Sequence, residues 1–172
     1  MKSMFRWLFR FVLFVFILGW LVPAEYVLPV EGMNRGSYHK DSFWYYPWGK
    51  SVTHKGVDIF AKKGTSIKAM GKGLVLYSGQ WGRGGEVVLI LGSRWRLQYY
   101  AHLNSREVAT GNWVDLNELV GTVGDSGNAK GKPPHLHFSL LTLVPYPWHW
   151  DSERQGWKKM FFLDPTKRFE FN

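Results

Sequence analysis

Residues 133–138 read Pro-Pro-His-Leu-His-Phe. Side chains on a β-strand alternate between its two faces, so residues two apart project from the same side. If this segment is a strand, His135 and His137 point together, while Leu136 and Phe138 point the other way into a core. Imidazole is the commonest metal ligand among protein side chains. The pair therefore predicts half of a metal site on one face of a buried strand.

A second candidate pair of ligands, His54 and Asp58, lies upstream in the run His-Lys-Gly-Val-Asp. A spacing of four also fits one face of a helix, but Gly56 and the β-branched Val57 and Ile59 favour an extended segment. The even spacing again keeps the imidazole and the carboxylate on one side. A catalytic zinc site needs three protein ligands of this nitrogen and oxygen type and one open position for water.

Short apolar or alternating runs follow one another along the body of the chain, and glycines separate them. Strands are predicted at 66–70, 73–78, 86–91, 96–102, 114–123 and 135–143. This pattern is typical of an all-β domain built mainly as an antiparallel sheet. Within the run 96–102, alternation predicts that Gln98, Tyr100 and His102 share one face.

Segments outside the histidine motifs have less specific patterns. The aromatic cluster at 43–48 either packs onto the sheet edge as core or forms a groove wall, and both can hold. The segment 124–132 is either an ordinary hairpin connection or a groove wall of small residues. His39 and His149 are interpreted as loop or surface residues, with a rim role left open for His149. One short helix is predicted at 155–163, ended by an Asp-Pro pair.

Composition limits the class of protein but does not identify a function. The chain has 172 residues, enough for one domain with a proper core. Its net charge of +9 suggests polyanionic surroundings, either nucleic acid, acidic lipid or an anionic wall polymer. The absence of cysteine excludes disulfides and thiolate zinc sites.

An apolar run at 11–22 marks the N-terminus. Three basic residues precede it: Lys2, Arg6 and Arg10. Small residues around Ala24 complete the pattern of an export signal. As a helix the run spans only about 18 Å, whereas a bilayer core is ~30 Å thick, so a retained anchor would need residues 4–9 as well. A cleaved signal and an uncleaved anchor both place the body of the protein outside the cytoplasm. A third, minor interpretation is a helix packed in a soluble core.

Three motifs carry a resemblance to a known family. They are His54-x-x-x-Asp58, Tyr-Ala-His-Leu at 100–103 and His-Leu-His-Phe at 135–138, the last preceded by a glycine-rich run at 121–128. In residue type and order they resemble the signature motifs of the lysostaphin-type, or LytM-like, zinc metallopeptidases. The similarity covers roughly residues 49–143. The agreement of three spaced motifs makes it specific, whereas a lone His-x-His would be weak evidence.

The resemblance implies one zinc ion per chain, held by His54, Asp58 and His137. Neutral imidazoles with one carboxylate leave zinc a net positive charge, which acidifies a bound water. The resemblance also implies catalytic roles for His102 and His135. His135 is expected to be the general base, and His102 to hydrogen-bond the water or the tetrahedral oxyanion. The residues alone allow these two roles to be exchanged.

The family further implies an endopeptidase that hydrolyses peptide bonds in peptidoglycan cross-links or stem peptides. The alternative is a non-catalytic cell-wall-binding or hydrolase-activating module, because some family members have lost ligands. A basic nucleic-acid-binding β-domain would leave the four motif histidines unexplained, so no nucleic-acid partner is expected. The sequence departs from the family pattern at Ser139, where an acidic residue is frequent, and in the aromatic insert at 144–150.

These observations divide the chain into three predicted parts. A signal peptide or signal-anchor helix occupies 1–24, a linker and loop segment 25–48, and the zinc metallopeptidase domain 49–172. We expect a location in the cell envelope, exported across the cytoplasmic membrane, with inner-membrane association through residues 4–22 if the helix is retained. The bond that is cut, a regulatory partner and the oligomeric state are left open.

Overall fold

The computed structural model describes the backbone of residues 2–171 and the side chains of residues 4–171. The first residue of the predicted N-terminal segment and the last residue of the predicted peptidase domain lie outside this range. Within it, one α-helix and nine strands are formed: α1 Lys2–Leu21, β1 Val57–Phe60, β2 Ser66–Lys68, β3 Gly73–Trp81, β4 Gly85–Gly92, β5 Arg96–Arg106, β6 Trp113–Val114, β7 Leu119–Val123, β8 His135–Thr142 and β9 Phe162–Leu163. Short 3-10 turns lie at Gly49–Ser51, Gly82–Gly84, Ser93–Trp95, Gly127–Ala129, Pro147–His149, Gly156–Met160 and Pro165–Arg168.

The strands form one antiparallel sheet, which confirms the predicted all-β class. The main path through the sheet is β1-β8-β5-β4-β3-β6, while β7 pairs with both β2 and β5, and β9 pairs with β8. The single strand predicted at 114–123 is wrong, because a turn divides it into β6 and β7. Asn117 sits in the turn with φ of 69°, a left-handed conformation that asparagine tolerates better than most residues.

Strand β8 is an interior strand of the sheet, with β5 on one side and β1 and β9 on the other. Leu136 and Phe138 are fully buried, and the ring of Phe138 packs against Tyr100 with centroids 4.9 Å apart. The intervening His135 and His137 therefore face the opposite side of the sheet, as alternation predicts. This strand fixes the position of two of the motif histidines.

The predicted helix at 155–163 is wrong. Residues Gly156–Met160 form a 3-10 turn, and Phe162–Leu163 form strand β9 against Leu140 and Leu141. Pairing with β8 buries Leu163 and satisfies backbone groups, while a glycine inside the turn weakens the helical alternative. Tertiary pairing therefore outweighs a weak local pattern.

Helix α1 contains an 18-residue stretch, Met4–Leu21, that is long and apolar enough to cross a membrane by length and composition. None of this stretch is buried in the protein, so the interpretation of α1 as a helix packed in a soluble core is wrong. After α1, the chain lies along the sheet: the Val27 N–H donates to the Met70 carbonyl over 2.9 Å, and Val30 is buried.

Candidate active site

The three predicted metal ligands converge on one point. Asp58 of β1 is directly opposite His137 of β8 in the strand register, and His54 lies in the loop just before β1. His137 Nδ1 is 2.8 Å from Asp58 Oδ1, and His54 Nε2 is 3.0 Å from His137 Nδ1 and 3.1 Å from Asp58 Oδ1. These three residues form a group whose ligand atoms all lie within 4.8 Å of one another.

The imidazoles of His54 and His137 each make a contact through the ring nitrogen that faces away from this group. These contacts leave the lone pair of the other ring nitrogen directed toward the group. His54 Nδ1 lies 2.9 Å from the Ser42 carbonyl, which can only accept, so Nδ1 carries the proton and Nε2 is free to bind a metal. His137 Nε2 lies 3.1 Å from Ser139 Oγ, which can accept its proton and leave Nδ1 free. Ser139 thus provides the outer hydrogen bond at the position where relatives often carry an acidic residue.

The donor set fits zinc. Two imidazole lone pairs and one carboxylate oxygen are the ligands of catalytic zinc sites, whereas magnesium and calcium prefer oxygen alone. Burial raises the pKa of Asp58, but the close contacts with His137 and His54 lower it well below its ordinary value overall. Burial lowers the pKa of His137 despite the neighbouring Asp58. An ionised carboxylate and a neutral imidazole are the charge states that metal binding requires.

Gly56 allows this close approach of β1 to β8. A Cβ atom at position 56 would lie 2.4 Å from the Phe138 carbonyl oxygen and 2.6 Å from Ser139 Oγ. It would also lie 3.0 Å from the ring of His137. The glycine between the two upstream ligands is therefore required by packing against the central strand.

His102 and His135 lie beside the three ligands, with their rings 5.1 Å apart and steeply inclined to each other. His135 Nδ1 is 2.8 Å from the Pro133 carbonyl, and His102 Nδ1 is 2.9 Å from the Ser126 carbonyl. Because carbonyls only accept, both Nδ1 atoms carry the proton in these contacts and both Nε2 atoms are left with a lone pair. Each histidine can therefore accept a proton or a hydrogen bond at Nε2.

The predicted facing of His102 along β5 is wrong. Gln98 and Tyr100 are buried on the core side, whereas Tyr99 and Ala101 line a hollow together with His102. His102 has φ of 64°, so it departs from the regular strand and turns to the side of Tyr99. Left-handed backbone is costly for a non-glycine residue, and such strain concentrates at functional sites.

The buried position of His102 predicts a pH-dependent stability. Burial, then the nearby His137 and His135, lower the pKa of His102 to about 4. In the unfolded chain a histidine takes its proton near pH ~6.5, so between these values the unfolded state binds more protons. The free energy of unfolding of the metal-free protein should therefore fall as the pH drops from 7 to 4, by about 3 kcal/mol from this residue.

Chemical denaturation of the metal-free protein at several pH values measures this effect. The variant His102→Asn removes the titrating group, and asparagine tolerates positive φ. It should show a smaller loss of stability between pH 7 and pH 4 than the unsubstituted chain. Equal losses in both proteins would contradict the assignment.

A cavity of about 270 Å³ opens over Asp58, His102, His135 and His137 and defines a groove. The indole of Trp48 stacks on the His54 ring at 4.1 Å and forms one wall, while Asn128, Ala129 and Lys132 form another. Both interpretations of the aromatic cluster hold, because Trp44 is buried as core and Trp48 lines the groove. The segment 124–132 likewise supplies part of the wall.

The two remaining histidines lie away from this groove. His39 is exposed, and its Nδ1 is 3.3 Å from the Asp41 N–H. His149 packs against Tyr146 and lines a separate hollow of about 590 Å³ with Trp44 and Lys159. A rim role for His149 at the five-residue site is therefore not supported by its position.

Sequence reasoning missed Arg83 and the backbone carbonyls that orient the histidines. Arg83 lines the groove from the β3–β4 turn. The glycines near Arg83 were the sequence signal that could have indicated this close packing. Gly127 has φ of 64°, and a Cβ atom there would lie 2.4 Å from the Gly85 nitrogen and from the Arg83 carbonyl oxygen. Two glycine-rich turns thus meet backbone to backbone beside the site.

An antiparallel sheet that assembles a His-His-Asp group and two further histidines in one groove defines a LytM-like peptidase fold. The catalytic domain of lysostaphin from Staphylococcus simulans has this fold, with a TM-score of 0.59 and 26% identity over 73% of this chain and 86% of that domain. The chain belongs to peptidase family M23, whose model matches residues 52–145. The resemblance noted from the motifs is confirmed.

Several characterised proteins are similar to this chain in sequence. Lysostaphin of Staphylococcus simulans is 31% identical over 108 residues, 60% of this chain and 22% of that protein. The L-Ala--D-Glu endopeptidase of Bacillus subtilis is 34% identical over 145 residues, 75% of this chain and 44% of that protein. The peptidoglycan DD-endopeptidase ShyC of Vibrio cholerae is 38% identical over 93 residues, 54% of this chain and 21% of that protein. The chain thus spans less than half the length of each of these relatives.

Proposed function

We propose that this chain is a zinc-dependent endopeptidase that hydrolyses peptide bonds in peptidoglycan cross-links or stem peptides. The convergence of donor atoms from His54, Asp58 and His137 beside the free nitrogens of His102 and His135 carries the proposal. The similarity to a peptidoglycan DD-endopeptidase and to an L-Ala--D-Glu endopeptidase supports the substrate class.

In the proposed mechanism, His54, Asp58 and His137 would hold a zinc ion, which would supply Lewis-acid chemistry toward a water molecule and the scissile carbonyl. His135, anchored through Nδ1 at the Pro133 carbonyl, takes the proton of the attacking water at Nε2 and delivers it to the leaving amine. His102, anchored at the Ser126 carbonyl, accepts a hydrogen bond from the same water and orients it. Its lowered pKa keeps it neutral, so its Nε2 has no proton to offer an oxyanion.

We also propose the division into a helix at 1–24, a connecting segment at 25–48 and a peptidase domain at 49–172. The exposed apolar face of α1 supports a location in the cell envelope with α1 kept as an inner-membrane anchor. The contacts of α1 with the β4–β5 turn support this choice over a cleaved signal. The Trp95 indole N–H donates to the Phe16 carbonyl over 2.8 Å, and the two rings stack.

Removal of metal from the full chain should abolish hydrolysis of purified peptidoglycan, and zinc should restore it at one ion per chain. Mass spectrometry of the released muropeptides measures the activity and names the bond that is cut. Magnesium or calcium should not restore activity, since the donor set is not all oxygen. A metal-free preparation with full activity would refute the proposal. A zinc-loaded protein that releases no muropeptides would favour the non-catalytic module.

A further inference from the structure

A cationic pocket opens where helix α1 meets the peptidase domain. Its volume is about 340 Å³, and its rim includes Ala24, which closely follows α1. Its charged lining consists of four cations and two carboxylates: Arg94, Arg96, Lys167 and Arg168 against Glu25 and Glu170. The excess of positive charge favours an anionic ligand.

Arg96 forms the buried part of this pocket and lacks a complete set of partners. Only 5% of its surface is exposed. Its guanidinium donates to the hydroxyl groups of Tyr26 and Tyr146, which are neutral acceptors. In the part of the chain that the structure describes, its Nε has no hydrogen-bond partner. A buried cation is costly unless it is paired with an anion, and among the described residues Arg96 forms no ion pair.

Arg168 lies close to the same point from the C-terminal segment. The guanidinium carbons of Arg96 and Arg168 are each 5.9 Å from the centre of the Tyr26 ring. Arg168 is exposed, as are the neighbouring Lys167 and Arg94. One buried and three exposed cations therefore surround a single hollow, and guanidinium groups bind phosphate oxygens through paired hydrogen bonds.

The β4–β5 turn fixes this pocket beside the last turns of α1. Arg94 and Trp95 both have φ of 57°, in the left-handed region that side chains rarely adopt. In this conformation Trp95 packs on Phe16 and lies against Gly19, where a Cβ atom would be 2.5 Å from its indole ring. The backbone of this turn is therefore strained, and the strained conformation places Trp95 against the apolar helix α1.

Exposed aromatic and apolar side chains continue the surface next to the helix. The Tyr146 ring meets Trp20 of α1 at 6.1 Å and stacks on Trp148 at 5.1 Å. Trp148 is 75% exposed, and Leu143, whose N–H donates to the Trp95 carbonyl, is 54% exposed. Tryptophan beside a membrane-spanning helix is typical of the level of the lipid headgroups.

We propose that the pocket binds the phosphate of an anionic phospholipid headgroup while α1 lies in the bilayer. Arg96 and Arg168 are the principal ligands, and Trp148 and Leu143 rest on the membrane surface. The occupant is a lipid because the pocket lies at the end of an unburied apolar helix and beside an exposed tryptophan surface. The site is separate from the metal ligands and does not depend on the proposed hydrolysis.

Native mass spectrometry of the full chain in neutral detergent, titrated with phosphatidylglycerol, tests this proposal. We expect one tightly bound phosphatidylglycerol per chain and at least tenfold weaker binding of zwitterionic phosphatidylcholine. Arg168→Gln should weaken phosphatidylglycerol binding by about tenfold, the effect of one charge-assisted hydrogen bond. Arg96→Gln should weaken it further, and if that variant fails to fold, Arg168→Gln still decides the outcome.

Lys130→Gln is the matched control, because it removes an exposed cation from the loop at the catalytic end. It should leave lipid binding unchanged. Equal weakening by Lys130→Gln and Arg168→Gln would mean diffuse charge attraction and would overturn the site. Equal affinity for phosphatidylcholine, or for glycerol 3-phosphate in free solution, would overturn the assignment to an anionic lipid.

Discussion

His137→Ala is expected to lose both bound zinc and hydrolytic activity. The substitution removes the Nδ1 atom that lies within 3.0 Å of both other ligands, so two protein donors are left where a catalytic site needs three. The variant should also lose the stabilisation that zinc gives the folded state, because a ligand stabilises only the state that binds it. Metal analysis and hydrolysis rates on the same purified samples measure the effect.

Ser139→Ala is the matched control for this loss. It removes the hydroxyl group on the outer side of the same imidazole but keeps the donor atom. Loss of such an outer contact typically costs about 10–100-fold in metal affinity or activity, so activity should persist at high zinc concentration. If His137→Ala keeps its metal while His135→Ala loses it, the assignment of ligands is reversed.

His135→Ala should keep its zinc and lose about 10²–10⁴-fold in rate, the usual contribution of a general acid–base group. The reason is that its Nε2 atom, with Nδ1 held at the Pro133 carbonyl, is the proposed proton acceptor. His102→Asn should also keep zinc, and its rate should fall by a comparable factor. Asparagine is the appropriate replacement there because it tolerates the positive φ of that position.

Single-turnover rates with a soluble muropeptide, measured at saturating zinc, separate these variants from simple metal loss. A His135→Ala rate within tenfold of the unsubstituted chain would exclude this residue as the general base. A His102→Asn variant that loses zinc would instead make His102 part of the metal site.

The parts of the site that follow from regular strand geometry could be predicted. Alternation along β8 placed His135 and His137 on one face and their neighbours in the core, because that strand is regular over its whole length. The antiparallel architecture followed from the spacing of apolar runs and glycines. The register that sets Asp58 opposite His137 was not visible, because pairing between distant strands leaves no local pattern.

The parts that depend on irregular backbone or distant contacts could not be predicted. His102 turns to the groove through a left-handed residue that no local sequence signal requires. The carbonyls of Ser126 and Pro133, which orient His102 and His135, are backbone groups and are independent of side-chain identity. Arg96 and Arg168 are 72 positions apart in the sequence, and only tertiary packing brings both to the ring of Tyr26.

Strand β5 has a consequence for where the protein can work. It begins at Arg96, in the pocket beside α1, and reaches His102 six residues later. At about 3.3 Å per residue, no more than ~20 Å of strand separates the two positions. If α1 lies in the bilayer and the site cleaves peptides, as we propose, the length of β5 would limit cleavage to a thin zone next to the membrane. Peptidoglycan farther from the membrane would not be cut until the domain is released. Cleavage of the chain near Ala24 would therefore change the distance at which the domain can act, without altering any residue of the proposed site.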